Sequence, residues 1–400
     1  MKLAPLETGS LETSTRPAAR FTNRCGVVAA IGLVFIGIVL LAAALAANQQ
    51  WLDRHFLPSF LLPRHRYIQI ETMVRWFLGT LGALLLLLAR RAARLTPKIA
   101  RHTLRVVIAF VLAMLTSELA LHYLGFGPTE WLSRDDEPRR RPDARLGWTL
   151  VPSHTGHTMV GGHTIEYAID AAGYRVYSLG EPVDHERPAI LFAGESMMFG
   201  EGLDWNESMP AQVGAITGIQ SANLAVHGFS TDQVYLRLRE ELPRFRQPVA
   251  VVSLFTTVLF GRNLDDDRPH LGPGLVWLPA VQHTQLKSLA TLLVPYRSDA
   301  TVERGIAITR DTLRATVELA REDGAVSLIV VPQFGKEDEL ERKLRSRILD
   351  EAGLPYTLVE IDPAWRLPWD QHPDARASHA IASAIVARLQ IDGITNHKVE

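Results

Sequence analysis

The chain has 400 residues, more than one small domain needs, and this length indicates two or three structural units. A formal net charge of −1 argues against a general binder of polyanions. The single cysteine, Cys25, excludes an intrachain disulfide and a cysteine-based metal site.

Three apolar runs in the first third of the chain predict three transmembrane helices. They are Gly26–Ala47, Met73–Leu88 and Val106–Leu124. The first run is uncharged and has the length needed to cross a bilayer, roughly 20 residues. A run of this length is too long for the core of a signal peptide. Arg75 and Glu118 lie near the ends of the other runs, where long charged side chains reach the interface.

Basic residues predict the orientation of these spans. The loop between the second and third runs contains six basic residues and no acidic residue. The basic residues are Arg90, Arg91, Arg94, Lys98, Arg101 and Arg105. This loop and the tail over residues 1–25 are therefore expected in the cytoplasm, with the membrane region at 26–125. The rest of the chain would lie on the periplasmic or extracellular side of the cytoplasmic membrane, after a charged linker at 126–144.

The pattern after residue 145 predicts an α/β domain. Residues 145–180 form a small β-rich lead-in, and residues 181–392 alternate apolar strands with amphipathic helices. The strand candidates are Pro188–Ala193, Ser221–Val226, Val249–Thr256, Val326–Val331 and Thr357–Ile361. Such alternation is typical of a mainly parallel sheet, in which sites form where loops leave the C-terminal ends of the strands.

A long insertion follows the third predicted strand, over residues 264–300. Loops of this length near a site are often lids or substrate supports. Packing on the core is the alternative, and the sequence does not separate the two.

Polar residues follow several predicted strands at the edge where a site is expected. Ser196 follows the first strand, Gly228 follows the second, and Asp370 and His372 precede the last helix. A serine needs a neighbouring base, the base needs an orienting acid, and the developing oxyanion needs backbone N–H donors. Serine, histidine, acid and glycine are thus available for nucleophilic catalysis.

Three segments resemble sequence blocks of the SGNH/GDSL hydrolase superfamily. GESMMFGEGL is similar to the first block, NLAVHGFSTDQ to the second and DQHPDARASHAIA to the last. PDARLGWTLVPSHTGH and AAGYRV also resemble a segment that precedes this domain in membrane-anchored bacterial members. The resemblance covers roughly residues 142 to 390.

The resemblance implies a three-layer α/β/α sandwich with a five-stranded parallel sheet, and a role for each matching residue. Ser196 would be the nucleophile, His372 the base, Asp370 its orienting acid and Gly228 an oxyanion donor. Asp362, at the end of the fifth strand, is an alternative to Asp370.

The chain departs from the family pattern at three blocks. In the last block, Asp374 stands where asparagine is frequent, and Ala377-Ser378 replace a common Gly-His pair. Glu195 stands where aspartate is usual, which we expect to be a mild change because that acid mostly supports the turn. The third block lacks its asparagine, since Val258 occupies that position and Asn263 comes five residues later. Thr256 or Thr257 could offer a hydroxyl in its place.

The predicted function is a membrane-anchored esterase that acts on acyl esters, such as acetyl esters, of envelope glycans or lipids through an acyl-enzyme. An O-acyltransferase with the same intermediate, or a degenerate envelope-binding module without activity, are the alternatives. No cofactor is expected. No metal is expected either, because His154, His157 and His163 have no acid or cysteine at ligand spacing. No nucleic-acid partner is expected, because the sequence has no glycine-rich phosphate-binding loop and no basic aromatic face.

Overall fold

The computed structural model describes residues 16–57, 64–92, 97–123, 136–293, 295–368 and 371–394. The chain divides into two compact units. One comprises Met1–Gln49 and Ile68–Leu124, and the other comprises Gln50–Tyr67 and Gly125–Glu400.

Four helices occupy the N-terminal third: α1 (Arg16–Ala46), α2 (Gln49–Phe56), α3 (Arg64–Ala92) and α4 (Pro97–Tyr123). Large apolar side chains on α1, α3 and α4 are exposed, among them Phe35, Trp76 and Leu115. Helices α1 and α3 approach closely at Gly37 and Gly82, where a Cβ on either residue would lie 2.8–2.9 Å from the carbonyl oxygen of the other. Small residues at such crossings are typical of membrane helix pairs.

The number of helices able to span a membrane differs from the predicted three. Within the described part of the chain, only His65–Arg91 is long and apolar enough alone, and 11% of its apolar window is buried. Ala30–Ala46 and Gln49–Phe56 would count as a second span only if they form one broken span. Within the described residues, three transmembrane helices are therefore not supported by helix length and composition; the side chains of α1 before Ala30 and several in α4 lie outside the described set.

The described residues of the C-terminal unit form twelve strands. They are β1 (Arg140–Asp143), β2 (Gly147–Leu150), β3 (His154–Val160), β4 (His163–Ile169), β5 (Arg175–Val176), β6 (Ala189–Ala193), β7 (Gln220–Asn223), β8 (Pro248–Leu254), β9 (His270–Leu271), β10 (Trp277–Leu278), β11 (Val326–Phe334) and β12 (Tyr356–Ile361). Eight form one sheet in the order β12-β11-β8-β6-β7-β5-β4-β3. Strands β7, β6, β8, β11 and β12 are parallel. They correspond to the five predicted strands.

Eight further helices complete this unit. They are α5 (Ser196–Phe199), α6 (Met209–Thr217), α7 (Thr231–Glu241), α8 (Thr257–Arg262), α9 (Gln285–Leu293), α10 (Asp299–Glu322), α11 (Glu339–Arg345) and α12 (Ala375–Ile391). Helices α7 and α10 pack together as one group, and α6 and α12 pack together as another. Strand β6 is buried along its whole length, as expected for a strand covered on both faces. The predicted α/β fold is confirmed.

The sheet is larger than the five strands predicted. Strand β5 pairs antiparallel with β7 through Arg175 and Asn223, and β4 and β3 continue the sheet beyond it. The lead-in therefore covers the β7 edge of the parallel sheet. Without it, β7 would be an edge strand with unpaired N–H and C=O groups. The end of the predicted linker also forms a strand, since β1 pairs with β2.

Candidate active site

Ser196 lies at the turn between β6 and α5. Strand β6 ends at Ala193, and Glu195 caps the helix by accepting a hydrogen bond from the Met197 N–H at 3.1 Å. The turn requires glycine at Gly194, where a Cβ would lie 2.5 Å from the Cβ of Met198. Ser196 is 3% exposed, so its hydroxyl is held inside this turn.

His372 approaches Ser196 from the segment between β12 and α12. Its Nε2 lies 2.8 Å from the Ser196 Oγ, although the residues are 176 positions apart. The His372 carbonyl accepts a hydrogen bond from the Leu367 N–H at 2.7 Å. Two of the predicted site residues are thus brought together in the geometry of a nucleophile and its base.

The predicted orienting acid, Asp370, lies outside the described residues. The alternative, Asp362, is exposed, and its carboxylate accepts a hydrogen bond from the Ala364 N–H at 2.8 Å. This contact stabilises the turn after β12 and gives Asp362 a local structural role. Asp374, two residues after His372, caps α12 through the N–H groups of Arg376 and Ala377.

Gly228 lies in a loop fixed at two carbonyl groups. Its φ of 75° is in the left-handed region that favours glycine. The Trp148 indole donates to the His227 carbonyl at 2.9 Å, and the Arg268 guanidinium donates to the Gly228 carbonyl at 2.8 Å. The His227 carbonyl shares a peptide plane with the Gly228 N–H, so the Trp148 contact fixes the direction of that N–H.

The insertion therefore packs on the core near this loop through its first part. Arg268 of the insertion binds the Gly228 carbonyl. Leu271, also in the insertion, donates its N–H to the buried carboxylate of Asp232 at 2.8 Å. Of the two interpretations of residues 264–300, these contacts favour packing on the core.

The position of the missing asparagine falls in α8. Val258 lies in its first turn and is half-buried. Thr256 caps the helix, since its hydroxyl accepts a hydrogen bond from the Leu259 N–H at 3.2 Å. Asn263 binds the Asp232 N–H and the Thr309 hydroxyl, so this buried side chain is occupied within the core.

Glu195 does more than support the turn. Its Oε2 accepts a hydrogen bond from the Ser196 hydroxyl and lies 3.2 Å from a guanidinium nitrogen of Arg262. Burial alone would raise the pKa of the Glu195 carboxyl, but Arg262, His372 and the hydrogen bonds from Ser196 and Met197 outweigh it, so the pKa is lowered. The ionised carboxylate reaches the Ser196 hydroxyl, and the expectation of a mild change misses this contact.

Sequence reasoning also missed Glu201 and His227. Glu201 Oε2 lies 2.8 Å from the Nδ1 of His227 and 3.6 Å from the Nε2 of His372. Burial alone would raise the pKa of Glu201, but His227, His372 and Arg262 outweigh it and lower the pKa to about 2. Both residues lie inside the quoted blocks, yet neither block indicates that the two side chains meet.

Arg175 explains why the AAGYRV segment belongs to this domain. The side chain is fully buried and donates to the carbonyls of Phe199, Gly200 and Leu203, each at 2.7 Å. Burial lowers the pKa of its guanidinium to about 10, partly offset by Tyr167 and Asp204. The lead-in thus caps the C-terminal end of the nucleophile helix.

Of the three histidines considered as metal ligands, His154 has a local partner. His154 contacts Glu137 at 2.9 Å, and both His154 and His157 lie on strand β3. Across the described ranges, no group of three or more His, Cys, Asp or Glu side chains is placed to hold a metal ion.

Comparison with known proteins finds similarity only among solved structures, since no protein-family model and no curated protein matches the chain. A carbohydrate acetylesterase family member from Sinorhizobium meliloti is similar at 12% identity, 51% coverage of this chain, 98% of that chain and a TM-score of 0.33. A GDSL-like lipase from Bacteroides thetaiotaomicron is 14% identical, with coverage of 53% of this chain and 91% of that chain and a TM-score of 0.32. A member of the lipolytic protein G-D-S-L family from Veillonella parvula is 10% identical, covers 50% of this chain and 96% of its own length, and has a TM-score of 0.32. Two of these structures are described as GDSL-like or G-D-S-L lipolytic proteins, the superfamily that the three sequence blocks resemble.

Proposed function

We propose that the C-terminal unit is a serine carboxylic-ester hydrolase. The observation that carries this proposal is the 2.8 Å contact between Ser196 Oγ and His372 Nε2 at the C-terminal end of β6. The fixed peptide of Gly228 lies on the loop after β7, the strand adjacent to β6 in the sheet. Nucleophile, base and oxyanion donor therefore leave one edge of the parallel sheet, where sites of such sheets form.

The reaction would proceed through an acyl-enzyme. Ser196 Oγ attacks the ester carbonyl carbon while its proton passes to His372 Nε2, and the alcohol leaves with that proton. Water then attacks the acyl group, assisted by the same histidine. The N–H groups of Ser196 and Gly228 would receive the oxyanion, and Asp370 would orient His372.

We expect slow turnover, because Val258 supplies no side-chain donor for the oxyanion. Loss of one such donor typically reduces turnover by roughly 10²–10³. Thr256 is the replacement that α8 offers, because its hydroxyl oxygen accepts the Leu259 N–H while its hydrogen can still be donated.

The substrate we propose is an acyl ester of an envelope glycan or lipid, met on the outer side of a membrane. Two features support the proposal of three membrane spans: the three apolar runs of the sequence, and the exposed apolar residues in α1, α3 and α4, which lipid would cover. Helix α2 supports the orientation, since its Arg54 binds Asp299 at 2.5 Å and Glu303 at 2.8 Å within the C-terminal unit. A segment between the first two spans and a domain after the third lie on the same side of a membrane, as these contacts require.

A non-catalytic envelope-binding module is the second candidate. Val258 at the asparagine position favours it, together with the 3% exposure of Ser196. An O-acyltransferase would use the same acyl-enzyme, with a sugar hydroxyl in place of water.

The proposal is tested by turnover of p-nitrophenyl esters from acetate to octanoate with the full-length protein in detergent. We expect slow, saturable hydrolysis that is lost in Ser196→Ala and retained in the control Ser178→Ala. Hydrolysis of equal rate in Ser196→Ala would exclude Ser196 as the nucleophile. Absence of hydrolysis in the wild type across the series would favour the binding module.

A further inference from the structure

The carboxylate of Glu201 lies on the side of His372 where the reacting proton moves. The Glu201 Oε2 is 3.6 Å from His372 Nε2, and the same nitrogen lies 2.8 Å from Ser196 Oγ. In the triad geometry, the orienting acid contacts the other ring nitrogen, Nδ1. Glu201 is therefore a second carboxylate, close to the nitrogen that exchanges the proton with the nucleophile.

His227 fixes the position of this carboxylate. A carboxylate only accepts hydrogen bonds, so His227 Nδ1 carries the proton and donates it to Glu201 at 2.8 Å. The His227 ring is 4% exposed and packs edge-on against Phe199, with ring centroids 4.4 Å apart. Because both the ring and the backbone of His227 are held, Glu201 has little freedom to turn away from His372.

Several charged groups surround this pair from different elements. Arg262 on α8 acts on both Glu201 and Glu195, and Glu195 also acts on His372. On β1, burial lowers the pKa of Arg140, and the charge of Glu201 opposes that change. Among the described residues, the His227 imidazole also contacts Glu201, and Asp370 lies outside the described residues.

We propose that Glu201, held by His227, is a positioning residue that stabilises the protonated form of His372 while Ser196 is deprotonated. This inference rests on the proposed hydrolase function, in which His372 takes the proton from Ser196. Glu201 faces the imidazolium at the moment it forms, and its negative charge then favours proton transfer. At the same time it makes His372 a stronger base, so a higher pH is needed to bring the free histidine into its neutral form.

The rate of fluorophosphonate labelling of Ser196 as a function of pH tests this inference without the natural substrate. In full-length Glu201→Gln, the glutamine oxygen can still accept from His227 Nδ1, but the charge is lost. We expect the midpoint of the acidic limb to move down by about one pH unit, as loss of one charge at this distance predicts. The plateau rate should fall about threefold, as Brønsted behaviour predicts for a base weakened by one unit.

Three further variants make the result decisive. Glu303→Gln removes a carboxylate from α10 with a similarly low pKa of about 2, and it should leave the midpoint unchanged. Glu201→Asp keeps the charge and should hold the midpoint near the wild-type value. Glu201→Ala should lower the midpoint as Glu201→Gln does, and it is measured in place of the glutamine variant if that variant does not fold.

The possible failures are distinguishable. If the wild type is not labelled at all, or if Ser196→Ala is labelled equally, the proposed hydrolase function fails. If Ser196 is labelled but the neutral Glu201 variants keep the wild-type midpoint, the role of Glu201 is overturned while the hydrolase function stands.

Discussion

The hydroxyl of Ser196 has two acceptors within reach. It contacts the Nε2 of His372 at 2.8 Å and also the Oε2 of Glu195. When Ser196 donates its proton to the carboxylate, that proton is not directed at the base. The aspartate usual in the family is one methylene shorter, so Glu195 brings a competing acceptor to the nucleophile.

We predict that Glu195→Asp speeds ester hydrolysis. The shorter carboxylate can still cap α5 through the Met197 N–H but withdraws from Ser196 Oγ, which leaves the hydroxyl to His372. The gain should be about two- to tenfold in kcat, the worth of one hydrogen bond. Steady-state kinetics check this, and a fall in kcat would show that the Glu195 contact assists the reaction.

Sequence patterns predict single roles better than contacts between side chains. Ser196, Gly228 and His372 belong to blocks in which the residue type itself indicates the role. Glu201 and His227 become partners only because β6 and β7 are neighbours in the sheet, which places the two following loops together. Their meeting depends on strand order, and no local spacing along the chain indicates it.

At the scale of elements, the loop that carries Gly228 is held from outside. Trp148 on β2 and Arg268 in the insertion each donate to one of its carbonyls. Two parts of the chain that are absent from a minimal five-stranded sandwich thus set the direction of the Gly228 N–H, the proposed oxyanion donor. Preorganised donors of this kind supply much of the stabilisation of an oxyanion.

We predict that Trp148→Phe lowers kcat by roughly tenfold with little change in KM, because it releases the peptide that orients the Gly228 N–H. The matched control is Trp277→Phe, which also removes an indole N–H donor, here to the Arg145 carbonyl at 3.0 Å. Kinetics of both variants check this. Equal losses in the two variants would show that the Trp148 hydrogen bond serves stability only.

The elements differ in how far the sequence predicts them. Strands β6, β8 and β11 are nearly continuously apolar, and the sequence predicts each of them within a few residues, because burial on both faces leaves a clear pattern. Strand β5 has two residues, too few for any periodicity, so the antiparallel extension of the sheet could not be predicted.

At the scale of the whole molecule, helix α2 belongs to the same compact unit as the hydrolase-like domain. Besides the ion pairs of Arg54, the buried His55 contacts the Arg297 carbonyl at 2.6 Å and stacks on Tyr296. Charge counting along the sequence predicts an orientation of the spans but does not predict this contact between distant segments. The contact requires that residues 49–57 and the domain share one side of any membrane.

We predict the topology from these contacts and the basic loop. Alkaline phosphatase fused after residue 57 or after residue 130 should be active, because the proposed topology places both points outside, and a fusion after residue 95 should be inactive. Enzyme activity of the fusions in intact cells checks this. Activity after residue 95, or inactivity after residue 130, would contradict the three-span arrangement.

The central claim is that Ser196 is a nucleophile activated by His372. Its most direct test is mass-spectrometric mapping of the full-length protein after reaction with a fluorophosphonate, beside His372→Ala. We predict an adduct on the Ser196 peptide in the wild type, with labelling slowed by at least about 10²-fold without the base. An adduct on another residue, or equal labelling of Ser196 without His372, would contradict the account.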